Sequence, residues 1–281
     1  MTGTNIAASV RQRLKDKARA NRMDVQLQFT KYALERLLYR LSVSEHRNNF
    51  LLKGALLFDL WFDVPFRATR DIDLLGFGLA EIPHLMHVFY DLCEIKVDDG
   101  IVFDPDTLSA TDIRGADHYP GIRVTLIGLI DGAKCPVQVD IGYGDAVTPR
   151  ADDEQYPVIL DDMPAPNVRV YPVYTVVAEK LEAITSLGMV NTRMKDYFDL
   201  WVILRHRELD HELLSEAFDA TLQARRTPKP SGIPLGLSDS FFRNQSVIFS
   251  WEAFVNRNKL EALSLEATVV ELREKLAFLF G

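Results

Sequence analysis

Asp71 and Asp73 stand two residues apart in DIDLLGF, a short apolar run bounded by Thr69-Arg70 and by Gly76 and Gly78. The run is too short for a helix and reads as a buried strand. Side chains alternate along a strand, so both carboxylates share one face while Ile72 points to the core. Two carboxylates facing one way repel each other and are costly unless a cation lies between them. Mg²⁺ or Mn²⁺ suits such a pair, because Mg²⁺ takes few protein carboxylates and completes its shell with water and substrate phosphates. Asp140, in the run VQVDI, is a third acid among apolar neighbours. Its strand belongs to a hairpin: IRVTLIGLI and PVQVDIGYG are β-branched runs separated by Asp131-Gly132, a strong turn signal. If that hairpin lies beside the Asp71 strand, three carboxylates converge, enough for two metal ions.

The remaining patterns place this strand system between helices. Phe29, Tyr32, Ala33, Leu37 and Leu41 recur at helical steps, and LLKGALLFDLWF continues a helical pattern that Gly54 interrupts. Lys53-Gly54-Ala55 opens the segment leading to the acids, and a glycine before a helix lets phosphate approach backbone N–H groups closely. Residues 149–172, rich in Pro and Asp, read as a connection. VVAEKLEAI, KDYFDLWVIL, HELLSEAF and LEATVVELREKLAFLF read as amphipathic helices. The expected class is therefore α+β: a helical lead-in and a small mixed sheet over residues 1–172, then a helical domain over 173–281.

Several classes are excluded. The chain's 281 residues carry a net charge of −8, which argues against a basic nucleic-acid wrapper. The charge is uneven, however. Met1 to Lys53 holds eleven basic against four acidic residues, whereas Asp71 to Asp161 holds eighteen acidic against five basic. The basic start is either a polyanion-binding face or a solvated helix face. Cys93 and Cys135 are too few for a disulfide framework or a four-cysteine zinc site and suit a reducing, cytoplasmic setting. No run approaches the ~18 apolar residues of a membrane span, and the start lacks a signal-peptide core. The six histidines show no metal-binding spacing: His84 and His87 are three apart, but no nearby cysteine or third ligand completes a zinc site.

Taken together, Gly54-Ala55, Asp71-Ile72-Asp73 and Asp140 resemble the nucleotidyltransferase superfamily that includes DNA polymerase β. The closer resemblance is to its AbiEii/AbiGii toxin family. LLKGALLFDLWFDVPFRATRDIDLLGFG is similar to that family's first motif, with Arg67, Thr69, Asp71 and Asp73 in its R-x-[ST]-x-D-h-D positions, where h is apolar. VQVDIGYGD matches the second acidic strand, and VVAEKLEAITSLGMVNTRMKDYFDLW the later motifs. The resemblance runs from about Phe29 to Trp201. Ala55 stands where many members have Gly or Ser, and Thr69 keeps the hydroxyl of the commoner Ser.

The resemblance implies a polymerase β-like core in which Asp71, Asp73 and Asp140 hold Mg²⁺ and the triphosphate. Lys180 and Arg67 would balance phosphate charge, with Lys53, Gly54, Ala55 and Thr69 lining the nucleotide. Asp196 is the favoured later acid and Asp199 the second choice. Without the resemblance, Lys180 reads as a snorkelling lysine at the edge of a buried stripe, and an acid in a helix's first turn as a dipole partner. The implied function is that of a toxin in a bacterial toxin–antitoxin or phage-defence pair. It would add a nucleotide from an NTP to RNA, the tRNA 3′ end first among acceptors, blocking translation until an antitoxin intervenes. The rival readings are transfer to a small molecule or a protein, and a non-enzymatic interaction protein on the same fold.

Overall fold

The computed structural model describes residues 5–62, 69–113 and 121–281. They fall into two compact units: Met1–Gly144 with Asp152–Val170, and Asp145–Ala151 with Tyr171–Gly281.

In the first unit, α1 (Ile6–Ala20) and α2 (Val25–Val43) begin at side-chain caps, Asn5 accepting from the Ala8 N–H and Asp24 from that of Leu27. Next come β1 (Phe50–Lys53), α3 (Leu57–Trp61), β2 (Asp71–Gly76), α4 (Ile82–Glu94), β3 (Val102–Ile113), β4 (Gly121–Ile130), β5 (Ala133–Tyr143), β6 (Asp152–Gln155) and β7 (Asn167–Val170). The strands form one sheet in the order β3-β4-β5-β2-β1-β7-β6. It is mixed: β2 runs parallel to β5 and β1 parallel to β7, while the other pairs are antiparallel. The expected hairpin joins β4 to β5. Its two loop residues, Asp131 and Gly132, both have positive φ, the geometry that matches strand twist in a two-residue turn.

Two expectations fail here. LLKGALLFDLWF does not begin as a helix: Phe50–Lys53 is a strand, Gly54–Leu56 a 3₁₀ turn, and the helix is confined to Leu57–Trp61. A strand hydrogen-bonded on both sides, with Phe50, Leu51 and Leu52 all buried, has no alternation to distinguish it from a buried helix. Residues 149–172 are more than a connection, since β6 and β7 lie there. β6, Asp-Asp-Glu-Gln, is exposed along its whole length at the sheet edge, so the pairing with β7, not an apolar pattern, defines it.

The basic N-terminal stretch is also not a free cationic face. Arg36 and Arg40 are buried, Arg36 against Glu35 at 2.6 Å and Arg40 against Asp99 at 2.8 Å. Arg11 pairs with Asp131, Arg13 with Asp162, Lys17 with Asp161 and Arg47 with Asp153. Much of the local positive charge is thus answered by acids from later in this unit.

The second unit is helical: α5 (Val173–Leu187), α6 (Met194–His206), α7 (His211–Arg225), α8 (Asp239–Phe242), α9 (Gln245–Asn258) and α10 (Leu265–Leu276). α5 packs on α6 and α7, and α6 on α9 and α10, around Leu181, Ile184, Tyr197, Leu200, Phe218 and Val269. Arg225, at the end of α7, meets Glu182 at 2.9 Å and Asp145 at 3.0 Å. That contact joins Asp145–Ala151 to the helices, whereas the sequence division leaves this segment with residues 1–172.

Cys93 and Cys135 are free and buried, and desolvation pushes each thiol up to about 11. Among the described residues, no helix is long and apolar enough to cross a membrane.

Candidate active site

Pairing of β2 with β5 sets Asp73 directly beside Asp140. One carboxylate oxygen from each of Asp71, Asp73 and Asp140 lies within 4.8 Å of the other two, and all three residues are half-buried. Ile72 and Val139, which alternate with them, are 1% exposed, so the acids do share the face opposite the core. Three hard oxygen donors at this separation form a set that fits Mg²⁺ or Mn²⁺.

Each acid is held by its surroundings. Thr69, itself buried, donates its hydroxyl to Asp71 Oδ1 at 2.7 Å. Its hydroxyl proton is therefore engaged by the first acid. Asp73 lies across from Lys53 in the β1–β2 register. The next residue, Gly54, has φ +72°, and a Cβ there would overlap the Asp73 carboxylate. Glycine is thus required twice over at the turn, by backbone conformation and by close approach. The helix that follows has only five residues, and the close approach at Gly54 is to Asp73. Ala55 is buried with its methyl group. Arg67 lies outside the described residues.

Sequence reasoning missed Arg123. It stands opposite Asp140 in the β4–β5 register and grips it with two parallel bonds, Nε to Oδ1 at 2.8 Å and Nη2 to Oδ2 at 2.7 Å. That hydrogen-bonded pair, reinforced by the charge on Asp71 and Asp73, raises the guanidinium pKa. Gln138 Nε2 also approaches Asp140 Oδ2 at 3.4 Å. The signal lay in the alternation of IRVTLIGLI, where Arg123 falls on the polar face of the strand preceding the acid.

In the second unit, Lys180 on α5 and the two acids of α6 come together. Lys180 Nζ lies 2.9 Å from Asp196 Oδ1 and 2.8 Å from Asp199 Oδ2, and Arg193 Nε lies 2.6 Å from Asp196 Oδ2. Both acids are essentially inaccessible to water, at 0% and 1% exposure. The spacing of Asp196 and Asp199 does place them on one helix face, as expected. The lysine holds both.

The model of the AbiEii nucleotidyl transferase toxin, type IV toxin–antitoxin system, matches residues 36–270. No curated protein matches the chain. Two solved structures are similar in fold. A candidate nucleotidyltransferase from H. pylori superposes with a TM-score of 0.51 at 16% identity, covering 92% of this chain and 96% of its own. JHP933 from Helicobacter pylori gives a TM-score of 0.49 at 17% identity, covering 90% and 92%.

Proposed function

Because the chain belongs to the AbiEii family of nucleotidyl transferase toxins, we propose that it transfers a nucleoside monophosphate from an NTP to RNA. Pyrophosphate leaves, the tRNA 3′ end is the first acceptor to test, and arrest of translation is the consequence. The observation that carries this reading is the triad: Asp71, Asp73 and Asp140 on one face of two paired strands, with their oxygens within 4.8 Å.

The chain's own residues prepare the transfer by position and charge. Thr69 fixes the rotation of Asp71, the Gly54 turn leaves room for Asp73, and Arg123 holds Asp140. Divalent ions on these three acids would neutralise the triphosphate and lower the pKa of the attacking hydroxyl. Lys53 and Lys180 are proposed as protein cations for the phosphates, with Arg67 a further one from the motif. Asp196 and Asp199 act by fixing the Lys180 ammonium. A toxin of this family acts in the cytoplasm, where NTPs and RNA are found, and its antitoxin is the partner.

One observation favours a second acceptor class. Arg11, Arg13, Lys17, Arg36, Arg40 and Arg47 are all engaged by acids of the same unit. That removes part of the free basic surface RNA would use, and a hydroxyl on a protein or small molecule becomes the alternative. Incubating the protein with each α-labelled NTP, Mg²⁺ and total RNA separates the two. Label in a tRNA-sized band that ribonuclease removes supports RNA transfer. Label on protein or on a small product supports the alternative, and no transfer from any NTP contradicts both.

A further inference from the structure

A second group of metal-ligating side chains lies in the first unit, away from the triad in sequence. It joins the 3₁₀ turn before β1, residues Glu45–Asn49, to the helix α4. Glu45, His46 and Asp91 each present one donor atom, all within 4.8 Å of one another. His46 Nε2 lies 3.0 Å from Asp91 Oδ2. His87, one turn before Asp91 on the same face of α4, brings its own Nε2 to 3.6 Å from that oxygen. Two imidazole nitrogens therefore flank one carboxylate oxygen from opposite elements.

We propose that Glu45, His46, His87 and Asp91 form a second metal site that takes a divalent transition ion of the zinc class. Zinc bonds of ~2.0–2.2 Å in a tetrahedron put neighbouring donors roughly 3.3 Å apart, and the two observed separations bracket that value. The side chain of His46 is 12% exposed and so preset, while Asp91 at 35% and His87 at 74% leave an open approach. His87 turns about its exposed side-chain bonds to complete the shell. Donor chemistry separates the two sites. The triad is all oxygen and selects Mg²⁺ or Mn²⁺, whereas two imidazoles favour Zn²⁺ or its neighbours. The bound ion clips the turn that leads into β1, and hence to Lys53 and Gly54, onto α4. The reading that the histidines have no metal spacing is revised here, because the two halves of the site, Glu45-His46 and the His87/Asp91 pair of α4, lie some forty residues apart in the chain.

The test uses the full chain without a histidine tag, stripped of metal, carrying Asp71→Asn and Asp73→Asn so that the triad does not compete. Zn²⁺ titration by calorimetry, with Co²⁺ absorption as the spectroscopic probe of nitrogen ligation, should find one ion per chain and a rise in melting temperature. His87→Ala changes an exposed residue and should fold normally, yet weaken Zn²⁺ by at least the ~10-fold that even outer partners of metal ligands command. His46→Gln, which keeps a hydrogen bond to Asp91, should weaken it further. No Zn²⁺ binding at micromolar concentration, or equal affinity in all three proteins, overturns the proposal and leaves a His–Asp hydrogen bond. The readout is independent of nucleotide transfer.

Discussion

At the triad, three half-buried carboxylates face one another on two paired strands, and Arg123 grips Asp140. In the helical unit, Asp196 and Asp199 are closed off from water and face Lys180, with Arg193 on the outer oxygen of Asp196. Like charges gathered at a partly wet surface tolerate their repulsion and attract cations from solution. Opposite charges gathered in a dry interior are already matched, and each depends on its partner for desolvation to be compensated. The first arrangement suits a site that captures ions and a triphosphate; the second suits a rigid mount for one ammonium.

Mutation should therefore separate the regions. Asp71→Asn and Asp73→Asn should each abolish nucleotide transfer while leaving the melting temperature unchanged or raised, because repulsion is relieved. Lys180→Ala removes the ammonium that two buried carboxylates share and should cost about 3–5 kcal/mol of stability, read by denaturant unfolding, besides its loss of activity. If Lys180→Ala instead unfolds like wild type, the mount interpretation is wrong. Gly54→Ala comes next. It should cost more than about 1 kcal/mol, since alanine does not tolerate the positive φ, and transfer should fall sharply as the new methyl group displaces Asp73.

Arg123→Ala sharpens the contrast within the triad. The pair is partly solvent-exposed, so stability should change by less than about 1 kcal/mol. Transfer should drop as Asp140 loses its fixed orientation, while Mn²⁺ affinity holds or tightens because a competing cation is gone. Loss of Mn²⁺ binding in this variant would count against that role for the arginine. A separate prediction concerns pH, through Glu35. Burial pushes its carboxyl from the ordinary 4.5 up to about 7, against the opposing pull of Arg36 and the Ile159 N–H. The unfolded chain then releases this proton first, so the contribution lowers stability as pH rises from about 4.5 to about 7 and levels off above that. Glu35→Gln should flatten this part of the stability–pH curve.

The sequence revealed what depends on local pattern. The D-h-D alternation, the Asp-Gly hairpin and the i,i+3 acids of α6 all have fixed periodic consequences, and each appears in the structure as expected. What remained hidden depends on pairing between distant segments. β1 is buried on both sides and has no alternation to read; β6 has no apolar residue at all. The basic stretch looked like a surface because its acidic partners, Asp99, Asp131, Asp153 and Asp162, come from later in the chain. Arg123 was hidden for the same reason, since its role follows from the register that sets it across from Asp140.

The central claim is that the Asp71–Asp73–Asp140 cluster performs divalent-ion-dependent nucleotide transfer. The most direct measurement is incorporation of α-labelled NTP by wild type and by the Asp71→Asn–Asp73→Asn double variant, side by side with Mg²⁺, with Mn²⁺ and with EDTA, after their melting curves have been matched. The account predicts label incorporated by wild type with either ion, none with EDTA, and none from the double variant under any condition. Equal incorporation by the double variant, or transfer by wild type that persists in EDTA, would contradict it.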